Sequence, residues 1–241
     1  WASDNTDALC RTEIQNSYSY GYPLSVFTAH VSSCPNHQTL RITPLETRFQ
    51  VASFGVLGYE CNLKDLSGSD LNAIREQIAL YKKWREVFQF GTFYRGTENE
   101  DSDSETLSWT CVSPDGRRAV GLFFRRLTTP NQSHDWYRPV GLLPDVKYHF
   151  YGRNIKYNLK DFGDLVNTVS PVHIKQGSAL QEILSRFVNM DGEKEDLTAY
   201  GDTLMLAGIA LKPAFAGTGY NSDTRLFPDF SSRIYFMEAV E

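Results

Sequence analysis

The chain has 241 residues, room for one large domain or two small ones at ~100–200 residues each. With 41% hydrophobic and 22% charged residues, disorder as the main state is excluded. No apolar run reaches the ~20 residues of a membrane span, and a net charge of −5 argues against a broad nucleic-acid surface. The charge is unevenly spread: residues 1–95 carry nine basic and nine acidic side chains, whereas residues 96–241 carry fifteen and twenty.

Residues 1–95 alternate helix-like and strand-like segments. Thr6 or Asp7 starts a helix to about Tyr18, ended by Gly21-Tyr22-Pro23. Ser25 to Val31 reads as a buried strand, and a polar loop runs on from Ser32 to Thr43. Pro44-Leu45-Glu46 opens a helix to about Phe54, with Gly55 as terminator and Val56–Glu60 as the next strand. Ser69 caps a third helix, in which Leu71, Ile74, Ile78, Tyr81 and Phe88 recur at helical spacing. Such alternation is the repeat of α/β proteins. Past Phe93 the pattern changes. Glu98–Glu105 holds five acids in eight residues and reads as a solvated loop. Short β-rich runs come next, at Thr106–Ser113, Arg118–Arg126, Lys147–Phe150, Thr203–Leu211 and Arg233–Glu238. Pro114-Asp115-Gly116 is a hairpin turn and Leu180–Val188 a helical interlude. This half reads as an antiparallel sandwich or small barrel.

Cys10, Cys34, Cys61 and Cys111 are too few and too scattered for a disulfide scaffold. A reducing cytoplasm is the expected compartment. His30, Cys34 and His37 invite a metal, but they straddle a strand-to-loop transition and offer three ligands at most. Hydrogen bonding within the loop is the plainer reading. As a thiol–base pair, Cys34 and His37 lack an evident orienting group. Trp109, Trp136 and Tyr137 suit core or hairpin packing better than sugar stacking.

The opening stretch Trp1-Ala2-Ser3-Asp4-Asn5-Thr6-Asp7, with Arg11 beyond it, is the most informative. Capping residues before a helix explain part of it. A carboxylate at the catalytic end of a barrel strand explains it differently. Asp7 and Arg11, at i and i+4, are spaced for an orienting ion pair.

Ser3-Asp4-Asn5-Thr6-Asp7 with Arg11 resembles the SDxxDxxxR motif of glycoside hydrolase family 36, the bacterial α-galactosidases. Ala29-His30-Val31-Ser32, Pro35-Asn36-His37-Gln38-Thr39, Arg41 and Pro44-Leu45-Glu46-Thr47-Arg48 resemble that family's AHVSxxPNHQTxRxTPLxTR run. Gly58-Tyr59-Glu60 fits the family's next strand, and Gln77-Ile78, Tyr81-Lys82 and Tyr94-Arg95 fit the helix and exit after it. Leu204-Met205, Gly208, Phe215, Gly217-Thr218-Gly219, Thr224-Arg225-Leu226, Asp229-Phe230 and Ser232-Arg233 look like its closing sandwich. There are two departures. Leu40 stands where Gly is usual, and Cys61-Asn62 where Leu-Asp is usual.

The resemblance implies an α/β plus all-β fold. Residues 1–95 are expected to be the last strands and helices, about three steps, of a (β/α)8 TIM barrel, and residues 96–241 a C-terminal antiparallel β-sandwich. The bare Trp1 start is expected to mark a truncated barrel. The implied activity is retaining hydrolysis of terminal α-D-galactosyl residues, as in melibiose and raffinose. Asp4 matches the acid/base, while Trp1, Ser3, Asp7 and Arg11 are supporting or substrate-binding candidates. Retention requires two carboxyls about 5–5.5 Å apart, and the acid of the pair must hold its proton at working pH. In the family the nucleophilic Asp lies on an earlier strand, in a K-x-D-x-N-like setting absent here. Asp4 and Asp7, three residues apart at one helix start, do not form such a pair. The chain alone is therefore expected to be inactive. The expected partner is an α-galactoside, with no cofactor, metal, nucleic acid or membrane, and the intact enzyme is expected to be a homo-oligomer, as tetrameric relatives suggest. The alternative is a non-catalytic β-sandwich that binds carbohydrate or packs on a barrel.

Overall fold

A computed structural model describes residues 2–96, 105–128, 135–153, 156–168, 170–185, 187–191, 195–211 and 229–240. Trp1, most of the acidic run from Glu98, and the stretch containing Phe215, Gly217-Thr218-Gly219 and Thr224-Arg225-Leu226 lie outside the described residues.

The first region is a strand–helix succession. Helix α1 (Ala8–Tyr18) begins at Asp7, whose carboxylate caps the Cys10 amide. It leads through a 3₁₀ turn at Leu24–Val26 into strand β1 (Thr28–Ser32). The strand expected from Ser25 thus starts three residues later, because Pro23 sets an extended entry and Leu24 buries from the turn. Helix α2 (Leu45–Ser53), strand β2 (Val56–Glu60) and helix α3 (Gly68–Phe90) come next. Ser67, not Ser69, caps α3: its hydroxyl accepts from the Asp70 amide. Strands β1 and β2 are parallel, with Thr28 opposite Val56 and Ser32 opposite Glu60. Two parallel strands are present among the described residues rather than the three steps expected, since residues 2–7 form no strand. The described residues form no closed barrel.

The second region is antiparallel. Strands β3 (Thr92–Arg95), β4 (Thr106–Val112), β5 (Arg118–Arg125), β7 (Lys147–Gly152), β10 (Asp196–Tyr200) and β12 (Ser231–Ala239) form one sheet in the order β10-β7-β12-β5-β4-β3. Strand β6 (Trp136–Tyr137) pairs with β11 (Ile209–Ala210), and β8 (Lys156–Asn158) with β9 (Asn189–Asp191). Gly116, at φ 71°, closes the β4–β5 turn as expected from Pro114-Asp115-Gly116, a conformation that suits glycine. The described residues also hold two short α-helices, α4 (Ala179–Leu184) and α5 (Gly201–Leu206). Helix α5 corrects the strand expected from Thr203. Only Ile209–Ala210 of that run is extended, because a short apolar run does not separate strand from helix by periodicity alone.

The large sheet is the middle layer of the molecule. Side chains alternate across a strand. Accordingly Leu107, Trp109, Cys111, Val120, Leu122, Phe124, Ile234 and Phe236 face Phe49 and Phe54 of the α2 segment and Trp84, Val87 and Phe88 of α3. Phe123, Tyr148, Phe150, Tyr235 and Met237 face the other way, under Tyr137, Leu142, Leu204 and Ile209. Tyr137 fits because Gly121 has no side chain: a Cβ there would stand 1.9 Å from the Tyr137 hydroxyl. That hydroxyl instead donates to the Trp109 carbonyl at 3.0 Å. Ser232 Oγ donates to Gln50 Oε1 at 2.8 Å in the buried seam between sheet and α2. No described helix is long and apolar enough to cross a membrane.

Candidate active site

The carboxyl ends of parallel strands carry the chemistry of barrel folds. Here β1 ends at Ser32 and β2 at Glu60, and residues 2–7 lie beside them. Ser32 Oγ donates to the Thr6 carbonyl at 3.5 Å, and Asn36 Nδ2 donates to Thr6 Oγ1 at 3.2 Å and to Ser32 Oγ at 3.3 Å. The opening segment is thereby tied to both the strand end and the loop that leaves it.

Asp4 is exposed on a turn that its neighbours brace. The Asn5 amide donates to Ser3 Oγ at 3.1 Å, and the Asp7 amide to Asn5 Oδ1 at 3.0 Å. Asp7 is the opposite case: its side chain is 0% exposed. Its Oδ1 accepts from the Cys10 amide at 3.0 Å and from Arg41 Nη1 at 2.5 Å, and its Oδ2 from Thr39 Oγ1 at 2.7 Å. Burial pushes the Asp7 carboxyl up. The Thr39 hydroxyl, the Cys10 amide and the Arg41 guanidinium together outweigh it and hold the group below its ordinary value.

Arg11 is therefore not the partner of Asp7. Buried at 3% exposure, it donates to the carbonyls of Thr28 at 2.8 Å and Ser3 at 3.4 Å, and to Gln15 Oε1 at 3.3 Å. The i, i+4 spacing put the two side chains within reach, but Arg41 reaches Asp7 from the loop and leaves Arg11 to pin α1 against the start of β1. Burial lowers the Arg11 pKa. Gln15 continues this tie, donating to the Val51 and Phe54 carbonyls at 3.0 and 2.9 Å. Spacing gave no sign of Thr39, Arg41 or Asn36 in these roles, because each acts across thirty or more residues. The one local cue is the Asn36 side chain, whose Oδ1 accepts from the amides of Gln38 and Thr39 at 2.9 and 3.1 Å and closes its own loop. Leu40, at φ 57°, completes this turn. A left-handed backbone favours glycine, in keeping with the Gly that the family resemblance implies at this position.

The side chains of His30 and Glu60 pair across the two strands at 3.0 Å. The His30 ring lies over Gly58, where a Cβ would come within 2.6 Å. His37 is exposed on the loop. Cys34 Sγ donates to the Thr43 carbonyl at 3.6 Å. No group of three His, Cys, Asp or Glu side chains among the described residues is placed to hold a metal ion. Trp109 and Tyr137 are wholly buried, while Trp136 is half exposed. A cavity of about 320 Å³, lined by Ser19, Tyr22, Leu24 and Phe93 among others, opens at the other end of β1, away from Asp4.

Residues 1–91 match the family description Melibiase, and residues 106–237 match the glycosyl hydrolase family 36 C-terminal domain. The chain belongs to glycoside hydrolase family 36. Among curated family members, it is 43% identical over 148 residues to alpha-galactosidase 1 of Pediococcus pentosaceus, a match covering 61% of this chain and 20% of that protein. It is 38% identical over 155 residues to alpha-galactosidase AgaA of Geobacillus stearothermophilus, covering 64% and 21%. Among solved structures, the α-galactosidase from Lactobacillus brevis superposes on the whole of this chain with a TM-score of 0.72 and 32% identity, and on 26% of its own length. A G. stearothermophilus AgaA variant in complex with raffinose gives 0.71 and 30%, again with all of this chain and 26% of that one. The chain thus spans about a fifth of the curated relatives and a quarter of the solved ones. The family 36 fold expected from the motifs, barrel steps leading into a C-terminal antiparallel domain, is the one found.

Proposed function

We propose that this chain is part of a retaining α-galactosidase and that Asp4 is its acid/base. The observation that carries the reading is the contrast within one motif. Asp4 is exposed on a braced turn at the strand ends. Asp7 is buried and fully engaged, unable to exchange protons with a substrate without dismantling its own site. In the proposed cycle Asp4 protonates the departing glycosidic oxygen while a second carboxylate attacks the anomeric carbon. Asp4 then takes a proton from the water that cleaves the galactosyl-enzyme. Ser3 and Asn5 hold its backbone, and Asp7 and Arg11 anchor the turn to the helix and strand behind it. The K-x-D-x-N setting that the family resemblance implies for the nucleophile does not occur among residues 1–241. The 241-residue chain alone is therefore expected to release no p-nitrophenol from its α-galactoside.

The test is Asp4→Ala in a full-length enzyme carrying this segment. Activity on melibiose-type substrates should fall by about 10²–10⁴-fold. With an aryl galactoside and azide, a galactosyl azide of retained α configuration should accumulate, because the azide enters on the face the lost carboxylate served. No loss of activity, or an azide product of inverted configuration, would remove Asp4 from the role.

A further inference from the structure

We propose that Phe230, in the turn before β12 of the antiparallel domain, is a positioning residue for the Asp4 turn and acts through Arg41 and Asp7. The Arg41 guanidinium carbon lies 4.8 Å from the Phe230 ring centroid, within cation–π range. From there the path is short. Arg41 binds Asp7 at 2.5 Å, the Asp7 amide binds Asn5 Oδ1 at 3.0 Å, and the Asn5 amide binds Ser3 Oγ at 3.1 Å. Asp4 sits between the last two residues. The Arg41 side chain is part-exposed, at 26% against 0% for Asp7. A guanidinium with an open face has other solvated rotamers to visit, and the ring of Phe230 covers that face.

The backbone at Phe230 points the same way. Its φ is 55°, a left-handed value that is strained for a bulky side chain. Two hydrogen bonds hold the turn in place: the Phe230 amide donates to the Arg126 carbonyl at 3.2 Å, and Asp229 Oδ1 accepts from the Thr128 amide at 2.7 Å. Leu40, next to Arg41, is the other described non-glycine residue with positive φ. Thus a left-handed residue forms or adjoins each side of the stack, and these two backbone turns bring the ring and the guanidinium together. Arg126, whose carbonyl holds Phe230, also pairs with Glu13 of α1. The antiparallel domain therefore grips the Asp4-bearing unit here as well as through Trp109 Nε1 on Asn16 Oδ1, Arg95 Nη1 on Ser19 Oγ and the Ser232–Gln50 seam, and the Phe230 contact is the one that runs through the side chain that neutralises Asp7.

This inference rests on the acid/base reading of Asp4, and its test separates the two. Phe230→Ala, Phe230→Tyr and Arg41→Lys are made beside Asp4→Ala in the full-length enzyme. Turnover is measured on melibiose, whose sugar leaving group needs protonation, and on p-nitrophenyl α-galactoside, whose leaving group needs little. A displaced acid/base slows the first more than the second. Phe230→Ala is expected to lower kcat on melibiose roughly fivefold more than on the aryl substrate, with KM little changed. Arg41→Lys, which keeps the charge and loses the flat fork, is expected to show the same skew. Phe230→Tyr, which keeps the ring, is expected to restore the wild-type ratio. If Phe230→Ala lowers both substrates equally, or if Tyr does no better than Ala, the residue is merely structural and the proposal is overturned. If Phe230→Ala does not fold, Arg41→Lys and Phe230→Tyr decide by the same ratio. If Asp4→Ala itself shows no skew, the acid/base reading fails first and takes this one with it.

Discussion

At the strand ends of the parallel region, buried side chains are mostly polar: Thr6, Asp7, Ser32, Asn36 and Thr43 all lie below a tenth exposed. In the antiparallel sheet the largest buried side chains are mostly aromatic, among them Trp109, Phe123, Phe124, Tyr148, Phe150 and Tyr235. The two regions meet the cost of burial differently. Aromatic packing is less directional and tolerates small shifts. A hydrogen-bonded polar cluster holds only when every partner is in register, so it fixes positions at the expense of tolerance. The region that presents Asp4 is the one built on directional bonds, and the sheet behind it supplies bulk stability.

Substitutions can break that contrast, beginning with the largest effect. Trp109→Ala removes a wholly buried ring that packs against Phe54 and Phe93 at centroid distances of 5.4 and 5.5 Å. It should cost about 3–5 kcal/mol in a denaturant titration. Asp7→Ala should cost about 3 kcal/mol, at the low end for a buried pair because Arg41 can turn to solvent. It should also loosen the loop from Asn36 to Arg41, read as faster amide exchange there. If the two costs were reversed, the assignment of bulk stability to the sheet would be wrong.

Acid should separate the regions as well. The folded Asp7 carboxyl titrates below its ordinary value of 3.8. Its contribution to stability is therefore complete above that value and is lost as pH falls through the lower, folded value. Asp7→Asn should flatten this part of the stability curve, while Trp109→Ala should lower the curve without changing its slope. The smallest effect is expected at Leu40. Relief of its left-handed backbone in Leu40→Gly exceeds the added chain entropy only slightly, so a gain of about 0.5 kcal/mol is expected. A loss would mean that the exposed Leu40 side chain makes a contact of its own.

Much of this organisation was legible in the chain. The starts of α1 and α2, the helical periodicity of α3, strand β2, and the Pro114-Asp115-Gly116 turn arise from local chemistry, and the structure agrees within a few residues. Short apolar runs were ambiguous: Leu24–Val26 and Thr203–Leu206 are β-like in composition, yet tertiary packing makes one a 3₁₀ turn and the other a helix. Asp4 and Asp7 were visible as a motif, but their division of labour was not. Thr39 and Arg41 reach Asp7 from a loop more than thirty residues away, whereas its spacing points to Arg11. Likewise the usual glycine at position 40 marked an anomaly whose cause is visible only in the backbone angle.

The central claim is that two carboxyls three residues apart do different work. The most direct test is Asp4→Asn against Asp7→Asn in the full-length enzyme, with kcat on melibiose and the thermal midpoint measured for each. The account predicts that Asp4→Asn loses about 100-fold or more in kcat with its midpoint unchanged, and that Asp7→Asn lowers the midpoint while azide rescues none of its lost activity. A stable, azide-rescued Asp7→Asn beside a fully active Asp4→Asn would contradict it.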